Sequence, residues 1–214
     1  RAARVVVPAA TDDGGAALFL VDPAADGVTW TAQRTSTREP LHDLALAGVR
    51  VAAGDAFGDA AAVRWLRDAA IAAVCATQVG VSERALEITT GYVRERIQFG
   101  VPIGSFQSVQ HRAADCWIDV QSMRWTCWRL ITRLAEGADV ARDTAVAKFW
   151  AADAGSRIAN AAQHLHGGTG VDVDYPIHRY FLWSKSLELT LGGAMPQLAR
   201  LGRELAASLP REPA

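Results

Sequence analysis

The chain has 214 residues, 50% hydrophobic and 21% charged, enough to bury a sizeable core as one domain or two small ones. A formal net charge of −1, with no run of five like charges, removes any electrostatic reason to expect a nucleic acid or an anionic membrane as partner. No secretory leader is read, and the apolar stretches are broken by Arg, Asp or Gln well short of the roughly 20 residues a membrane helix needs, so a cytoplasmic location is the expectation.

The chain opens at Arg1 rather than Met, inside what reads as a strand, as expected of a fragment or a processed product. From Arg4 to about Val51, short apolar runs alternate with turn residues. Strands are predicted at Arg4 to Val7, Ala17 to Val21, Val28 to Thr31 and Leu41 to Val49, bounded by Pro8, Asp12-Asp-Gly-Gly15, Asp22-Pro23 and Asp26-Gly27. Four such strands form an incomplete antiparallel barrel or sandwich whose open edges need covering from upstream or from another chain. After Gly58 the period changes. Val63, Leu66, Ala70, Ala73, Thr77, Val81, Ala85, Ile88 and Tyr92 mark one face of a helix of about 35 residues. Val109 to Leu134 marks a second helix, stopped by Gly137, and Ala147 to Leu165 a third, stopped by Gly167-Gly168. Shorter helices are predicted from about Ile177 to Leu191 and from Pro196 to Leu209. Long helices with short connections fold back as an antiparallel bundle, so the chain is expected to be mostly α, with residues 1–55 as strands and 56–214 as the bundle. Cys75, Cys116 and Cys127 lie in the helical patterns at spacings of neither a zinc ribbon nor a redox pair. They read as reduced core residues, with no metal site. Most of the seven tryptophans, among them Trp117, Trp125, Trp128, Trp150 and Trp183, are expected in the core or as interface contacts.

Two segments offer chemistry. Arg94 and Arg96 end the first long helix, where a cation complements the helix dipole; the functional alternative is a guanidinium offered to a pyrophosphate, which its planar donor fork suits. The turn His164-Leu-His-Gly-Gly-Thr-Gly170 ends the third. Paired glycines there serve as a C-cap and tight turn, or they leave the backbone open to a ligand. Local physics leaves both choices open.

Taken in order, these segments resemble the acyl-CoA dehydrogenase family. The resemblance is carried by Ser82-Glu-Arg-Ala-Leu86, the Arg96-x-x-Phe99-Gly100 turn, Phe106-Gln107 with Gln110-His111, the Leu165-His-Gly-Gly168 turn, Tyr175-Pro-Ile-His-Arg-Tyr180 and Leu191-Gly-Gly-Ala194. At the start, Leu18-Phe-Leu-Val21, Gly27-Val28 and Leu46-Ala-Gly-Val-Arg-Val51 look like the closing strands of that family's middle β-domain, so the resemblance spans nearly the whole chain. It implies an antiparallel C-terminal helical bundle of acyl-CoA dehydrogenase type, FAD as cofactor, and removal of two hydrogens across the α and β carbons of an acyl-CoA thioester. It further implies that Arg96, Gln98 and Phe99, with Phe106 and Gln107, reach the ADP portion of an FAD held by a neighbouring subunit. His164, Leu165, Gly167 and Gly168 do likewise. The family often has Gln where this chain has His164, which weakens that contact without abolishing it.

The resemblance also locates an omission. Where many members carry Glu-Gly-Thr with the Glu as base, the position falls here on Leu191 or Gly192; the alternative place on the first long helix falls at about Ala70, with Arg67 and Asp68 expected to point elsewhere. The neighbouring flavin-binding Thr reads as Ala194, and the Gln two positions later as Pro196. Other candidates are Glu188, Asp172 and Asp174, for which solvated or capping roles are the simpler account, and His166 and His178. An ADP-facing subunit without a base fits a hetero-oligomer, such as the α2β2 assemblies found among actinobacterial steroid-degrading members. A homomeric enzyme with an unusual base and a flavin-free helical scaffold are the rivals.

Overall fold

A computed structural model describes residues 3–208; Arg1 and Leu209 lie outside them. The chain forms two compact units, Arg1–Asp68 and Ala69–Ala214.

In the first unit, β1 (Val5–Ala10) pairs antiparallel with β2 (Ala16–Val21), in register from Val5↔Val21 to Ala10↔Ala16. β3 (Val28–Gln33) pairs with β4 (Leu41–Leu46). A two-residue strand, β5 (Ala56–Phe57), adds to β2 and is too short to leave a sequence period. β4 ends before the expected Val49 because the chain turns at Gly48, φ 66°. Gly27 is required where the hairpin closes: its φ is 86° and a Cβ there would lie 2.1 Å from the Ala47 carbonyl oxygen. Leu18 and Val21 are buried, whereas Val6, Trp30, Leu41, Leu46 and Phe57 remain exposed, as expected of strands with open edges.

The first long helix, α1 (Ala60–Glu95), starts at Asp59, whose carboxylate accepts the N–H groups of Ala61 (2.8 Å) and Ala62 (3.0 Å). Those donors, Ala62 first, hold the Asp59 carboxyl below its ordinary range. There follow a small hairpin of β6 (Ile97–Gln98) and β7 (Val101–Pro102), then α2 (Gln107–Ala135), α3 (Ala141–His166), α4 (Ile177–Leu189) and α5 (Ala194–Ala207). α4 stops two residues before the expected Leu191. α5 starts before Pro196, which is tolerated in a first turn because its missing N–H has no intrahelical partner there.

Within the second unit α3 is central and packs against α2, α4 and α5. One core layer joins Ile71 and Cys75 of α1 to Cys127 and Leu130 of α2 and Ala147 and Ala151 of α3. The next joins Cys116, Val120 and Met123 to Ala154 and Ile158. As α1 and α3 ascend through these layers α2 descends, so neighbouring helices run antiparallel. Leu130, Met123 and Ile158 are almost wholly buried, each contributing about 1.5–3 kcal/mol. The three cysteines are free and buried; burial pushes the Cys75 thiol up to about 12 and Cys116 to about 11.

One expectation needs correction. The buried stripe of α1 is Ile71, Ala72, Cys75, Gln78, Ser82, Ala85, Thr89 and Val93, which shares only Ala85 with the predicted seam, and Ala73 and Thr77 are exposed. α1 is so rich in alanine that its apolar period selects no face, and its buried stripe carries polar groups: Gln78 Nε2 donates to Ser82 Oγ (2.9 Å) and to Ser184 Oγ (3.0 Å) of α4, while Gln78 Oε1 has no partner among the described residues. Gly155 of α3 is the other side of that contact, since a Cβ there would sit 2.4 Å from Gln78 Nε2. Of the tryptophans expected in the core or at an interface, Trp117, Trp125 and Trp128 stand exposed on α2, while Trp150 and Trp183 are half-buried.

Candidate functional site

α1 gives way to the hairpin at Arg96, whose N–H still bonds the Tyr92 carbonyl (2.9 Å) while its own carbonyl accepts the N–H of Ile103 (2.8 Å). Pairing of Ile97 with Pro102 and Gln98 with Val101 leaves a two-residue loop, Phe99-Gly100, with φ of 56° and 81°. Positive φ at both positions is what a type I′ hairpin turn demands, and Asn-Gly is the usual occupant. A phenylalanine there sits about 1–2 kcal/mol above an ordinary backbone conformation. Its ring is 92% exposed and touches only the edge of Phe106, at 6.2 Å and 80°. The Arg96 side chain is exposed and unpaired among the described residues. Gln98 donates to the Ile97 carbonyl (2.7 Å), and Gln107 is exposed where α2 begins. Gly104 brings the return strand against α1, for a Cβ there would lie 2.9 Å from the Val93 carbonyl oxygen.

The α3 end is built differently. His164 is exposed, Leu165 half-buried and His166 buried. Gly167 adopts φ 58°, ψ −137°, a region that other residues avoid, whereas a Cβ on Gly168 would meet nothing within 4 Å. The two glycines therefore serve different needs: Gly167 makes the turn and Gly168 leaves an open approach. A third, Gly170, was not singled out from sequence; a Cβ on it would lie 2.5 Å from the Gln163 carbonyl oxygen. An open cavity of about 1230 Å³ runs from this turn along α2, α3 and α4, with Arg112, Arg157, His164, Gly167, Phe181 and Glu188 in its lining.

Both segments occupy one end of the bundle. Tyr92, one turn before Arg96, stacks on His166, immediately before Gly167, with ring centres 4.3 Å apart and planes at 27°. Tyr175 closes the cluster at 5.3 Å from His166. The Nδ1 atoms of His166 and His178 are bonded to the carbonyls of Ala162 (2.8 Å) and Tyr175 (2.6 Å), so both rings have structural partners.

The loop between α4 and α5 carries no ionisable side chain at the expected base position. Leu191 and Gly192 both have left-handed backbones, φ 59° and 97°. The loop is tied from two sides. Gln197 Nε2 donates to the Leu191 carbonyl (3.1 Å), and the fully buried Lys148 donates to the carbonyls of Leu187 (3.1 Å) and Glu188 (3.0 Å) at the end of α4. Burial lowers the Lys148 pKa, opposed by Cys75 and Glu188. Neither Lys148 nor Gln197 was found from sequence, although a lysine flanked by the apolar seam of α3 is a visible signal. Of the alternative acids, Glu188 accepts from Lys185 Nζ (2.8 Å), and Asp172 accepts the Asp174 N–H (3.0 Å) in a turn. Ala70 is half-buried. Asp68, two residues from Ala70 and so about 200° around the helix from it, is 6% exposed and is paired with Arg67 Nε (3.2 Å) and Nη2 (3.1 Å).

Comparison with known proteins agrees with this architecture. Residues 72–206 match the family model for the acyl-CoA dehydrogenase C-terminal domain. The chain is 46% identical to acyl-CoA dehydrogenase FadE27 of Mycobacterium tuberculosis, over 94% of its own length and 56% of that protein's. It is similar to a chain of the solved ChsE4-ChsE5 complex from Mycobacterium tuberculosis, with TM-score 0.93 and 46% identity over 98% of this chain and 57% of that one. It is likewise similar to a chain of the Tcur3481-Tcur3483 steroid ACAD, with TM-score 0.91 and 46% identity over 96% and 56% of the two chains. The chain spans about half the length of the curated relatives it matches. With most of the helical unit matched residue for residue and the bundle superposing on solved relatives, this chain belongs to the acyl-CoA dehydrogenase family.

Proposed function

We propose that this chain is a subunit, or part of one, of an FAD-dependent enzyme that introduces an α,β double bond into an acyl-CoA thioester, and that it contributes FAD-facing residues without contributing the base. The observation that carries this reading is an asymmetry: the exposed, unpaired Arg96 and the strained, exposed Phe99 share one bundle end with the Gly167-Gly168 turn, whereas Leu191 and Gly192 occupy the base position. The family is FAD-dependent. The residues at the bundle end fit an ADP portion: the Arg96 fork suits pyrophosphate oxygens, Phe99 offers a ring face, and Gly168 leaves room for close approach. Gln98, Phe106, Gln107, His164 and Leu165 border the same two segments. When bound, FAD supplies the hydride acceptor. This chain's own part is to bind and orient; the α proton goes to a carboxylate of a partner subunit, in a hetero-oligomer such as α2β2. Residues 1–55 then complete the middle β-domain and 56–214 form the helical domain. The heteromeric ChsE4-ChsE5 complex and the steroid ACAD among its relatives support a steroid-derived thioester as substrate. Among the described residues no helix is long and apolar enough to cross a membrane, and a cytoplasmic location accords with that.

The rival with an observation behind it is a homomeric enzyme using Glu188, which lines the same open cavity as His164 and Gly167. The test is to purify the chain alone and together with its partner subunit. Flavin content and turnover are expected only in the complex, and Arg96→Ala is expected to weaken FAD binding about 30-fold, the loss of charge-assisted hydrogen bonds. Full flavin and turnover in the lone chain, abolished by Glu188→Gln, would establish the rival instead.

A further inference from the structure

His166 is surrounded in a way its stacking alone does not require. It is the last residue of α3, 3% exposed, and its ring lies between Tyr92, stacked at 4.3 Å, and Tyr175, tilted 51° at 5.3 Å. Tyr92 and Tyr175 meet edge-on at 6.3 Å, closing a three-ring cluster. The Ala162 carbonyl can only accept, so Nδ1 carries the proton and Nε2 is left as a bare acceptor. That Nε2 is buried without a partner among the described residues, an arrangement that disfavours the fold unless something else depends on the ring. A phenylalanine would stack without leaving such an orphan, but it would lose the bond that fixes the ring against the last turn of α3. The imidazole thus joins two elements: its Nδ1–H holds it to α3, and its face holds Tyr92 of α1.

What stands on either side of this joint is informative. One turn beyond Tyr92 is Arg96, whose N–H bonds the Tyr92 carbonyl and whose carbonyl closes the base of the Phe99 hairpin. One residue beyond His166 is Gly167, the first residue of the diglycine turn. The stack is therefore a short, rigid connection between the two segments to which the previous subsection assigns FAD, and this inference rests on that assignment. We propose that His166 is a positioning residue: it keeps the Arg96 hairpin and the Gly167-Gly168 turn at a fixed separation, so that one dinucleotide meets both at once. The binding of the ADP portion depends on that spacing because each segment alone offers few contacts, and a ligand that must first bring the two together binds more weakly by the fraction of time they are apart.

The experiment uses the complex of the full-length chain with its partner subunit, stripped of flavin and titrated with FAD by flavin fluorescence, alongside thermal unfolding. His166→Ala is expected to weaken FAD binding about 10-fold, and His166→Phe, which keeps the stack, to stay within about three-fold of the parent. Tyr92→Leu, which removes the stack from the opposite side, should reproduce the alanine variant and serves if His166→Ala does not fold. The double variant His166→Ala with Arg96→Ala should bind scarcely worse than Arg96→Ala alone, because residues acting through one another are not additive. Additive losses in the double variant, or a lowered unfolding temperature with unchanged FAD affinity, would show His166 to be structural only and overturn the proposal. If Arg96→Ala itself leaves FAD binding untouched, the FAD assignment of this bundle end fails first, and the positioning role falls with it.

Discussion

The bundle end that carries Arg96 and Gly167 and the loop between α4 and α5 are built differently. At the Arg96 and Gly167 end, side chains that would normally be paired or tucked away are exposed: a guanidinium without a carboxylate, and an aromatic ring on a left-handed backbone. At the α4–α5 loop, Leu191 and Gly192 offer no ionisable side chain, and the loop is tied by Lys148 and Gln197. Exposed residues on left-handed backbones stand at both places, Phe99 and Leu191, but only the loop at Leu191 is held from within by the buried donors Lys148 and Gln197.

The largest expected effect breaks the framework. Lys148→Ala leaves the Leu187 and Glu188 carbonyls without their buried donor and opens a cavity in the core, and should lower unfolding stability by on the order of 3 kcal/mol. Lys148→Met keeps the aliphatic volume and removes a charge whose pKa burial already depresses, so its loss should be clearly smaller. Denaturant unfolding compares them. Equal losses in the two variants would mean that volume counts for nothing here.

Much of this molecule was legible in its sequence. Seams such as Cys116, Val120, Met123, Cys127 and Leu130 are the buried face of α2, because aliphatic and sulfur-bearing residues recur there at helical spacing, even though Trp117, Ile118, Trp125 and Trp128 stand on the exposed face. α1 was located well but turned only partly right: alanine on most of its faces gives no contrast, and the inner stripe holds Gln78, Ser82 and Thr89, of which Thr89 bonds the Ala85 carbonyl within α1 and Gln78 joins Ser82 to Ser184 of α4. The same limit hid Asp68 and Lys148. Both are charged residues in buried positions, and what compensates each is a neighbouring side chain or carbonyl that no local pattern announces. The glycine turn could be found but not divided, since the separate roles of Gly167, Gly168 and Gly170 depend on φ and on the Gln163 carbonyl. The hairpin sequence Phe99-Gly100 gave no warning of a type I′ turn, because phenylalanine is a poor occupant of it.

A smaller effect is set by pH. Burial holds the His166 pKa below its ordinary 6.5, opposed by the Ala162 carbonyl. As pH falls through about 6.5, the unfolded chain takes up a proton that the folded chain refuses. Stability from this group is therefore complete above that value and declines below it until the folded pKa is reached, with a slope of at most about 1.4 kcal/mol per pH unit. The neighbouring titratable groups are Tyr92 and Tyr175, with Glu95 beside Tyr175 and His178 bonded to its carbonyl. Subtracting the acid profile of His166→Phe from that of the parent isolates the imidazole. Parallel profiles between pH 5 and 7, a window about the ordinary histidine value, would contradict the burial argument.

The smallest effect is the sharpest discriminator between the two ends. Leu191 and Phe99 both hold left-handed backbones, at φ 59° and 56°, so glycine relieves strain at each. The relief of about 1–2 kcal/mol is partly offset by the greater freedom that glycine gives the unfolded chain, about 0.5–1 kcal/mol. Leu191→Gly should thus raise stability by about 0.5 kcal/mol, and Phe99→Gly, which also loses its edge contact with Phe106, should change it little. If strain at both places were merely tolerated, neither change would alter ligand binding. A site in use behaves otherwise: Phe99→Gly should weaken FAD binding by the complex several-fold, the worth of one aromatic contact of about 1 kcal/mol, while Leu191→Gly leaves it alone. Matching FAD affinities for the two variants would remove the distinction, because strain at Phe99 would then serve the hairpin and not the ligand.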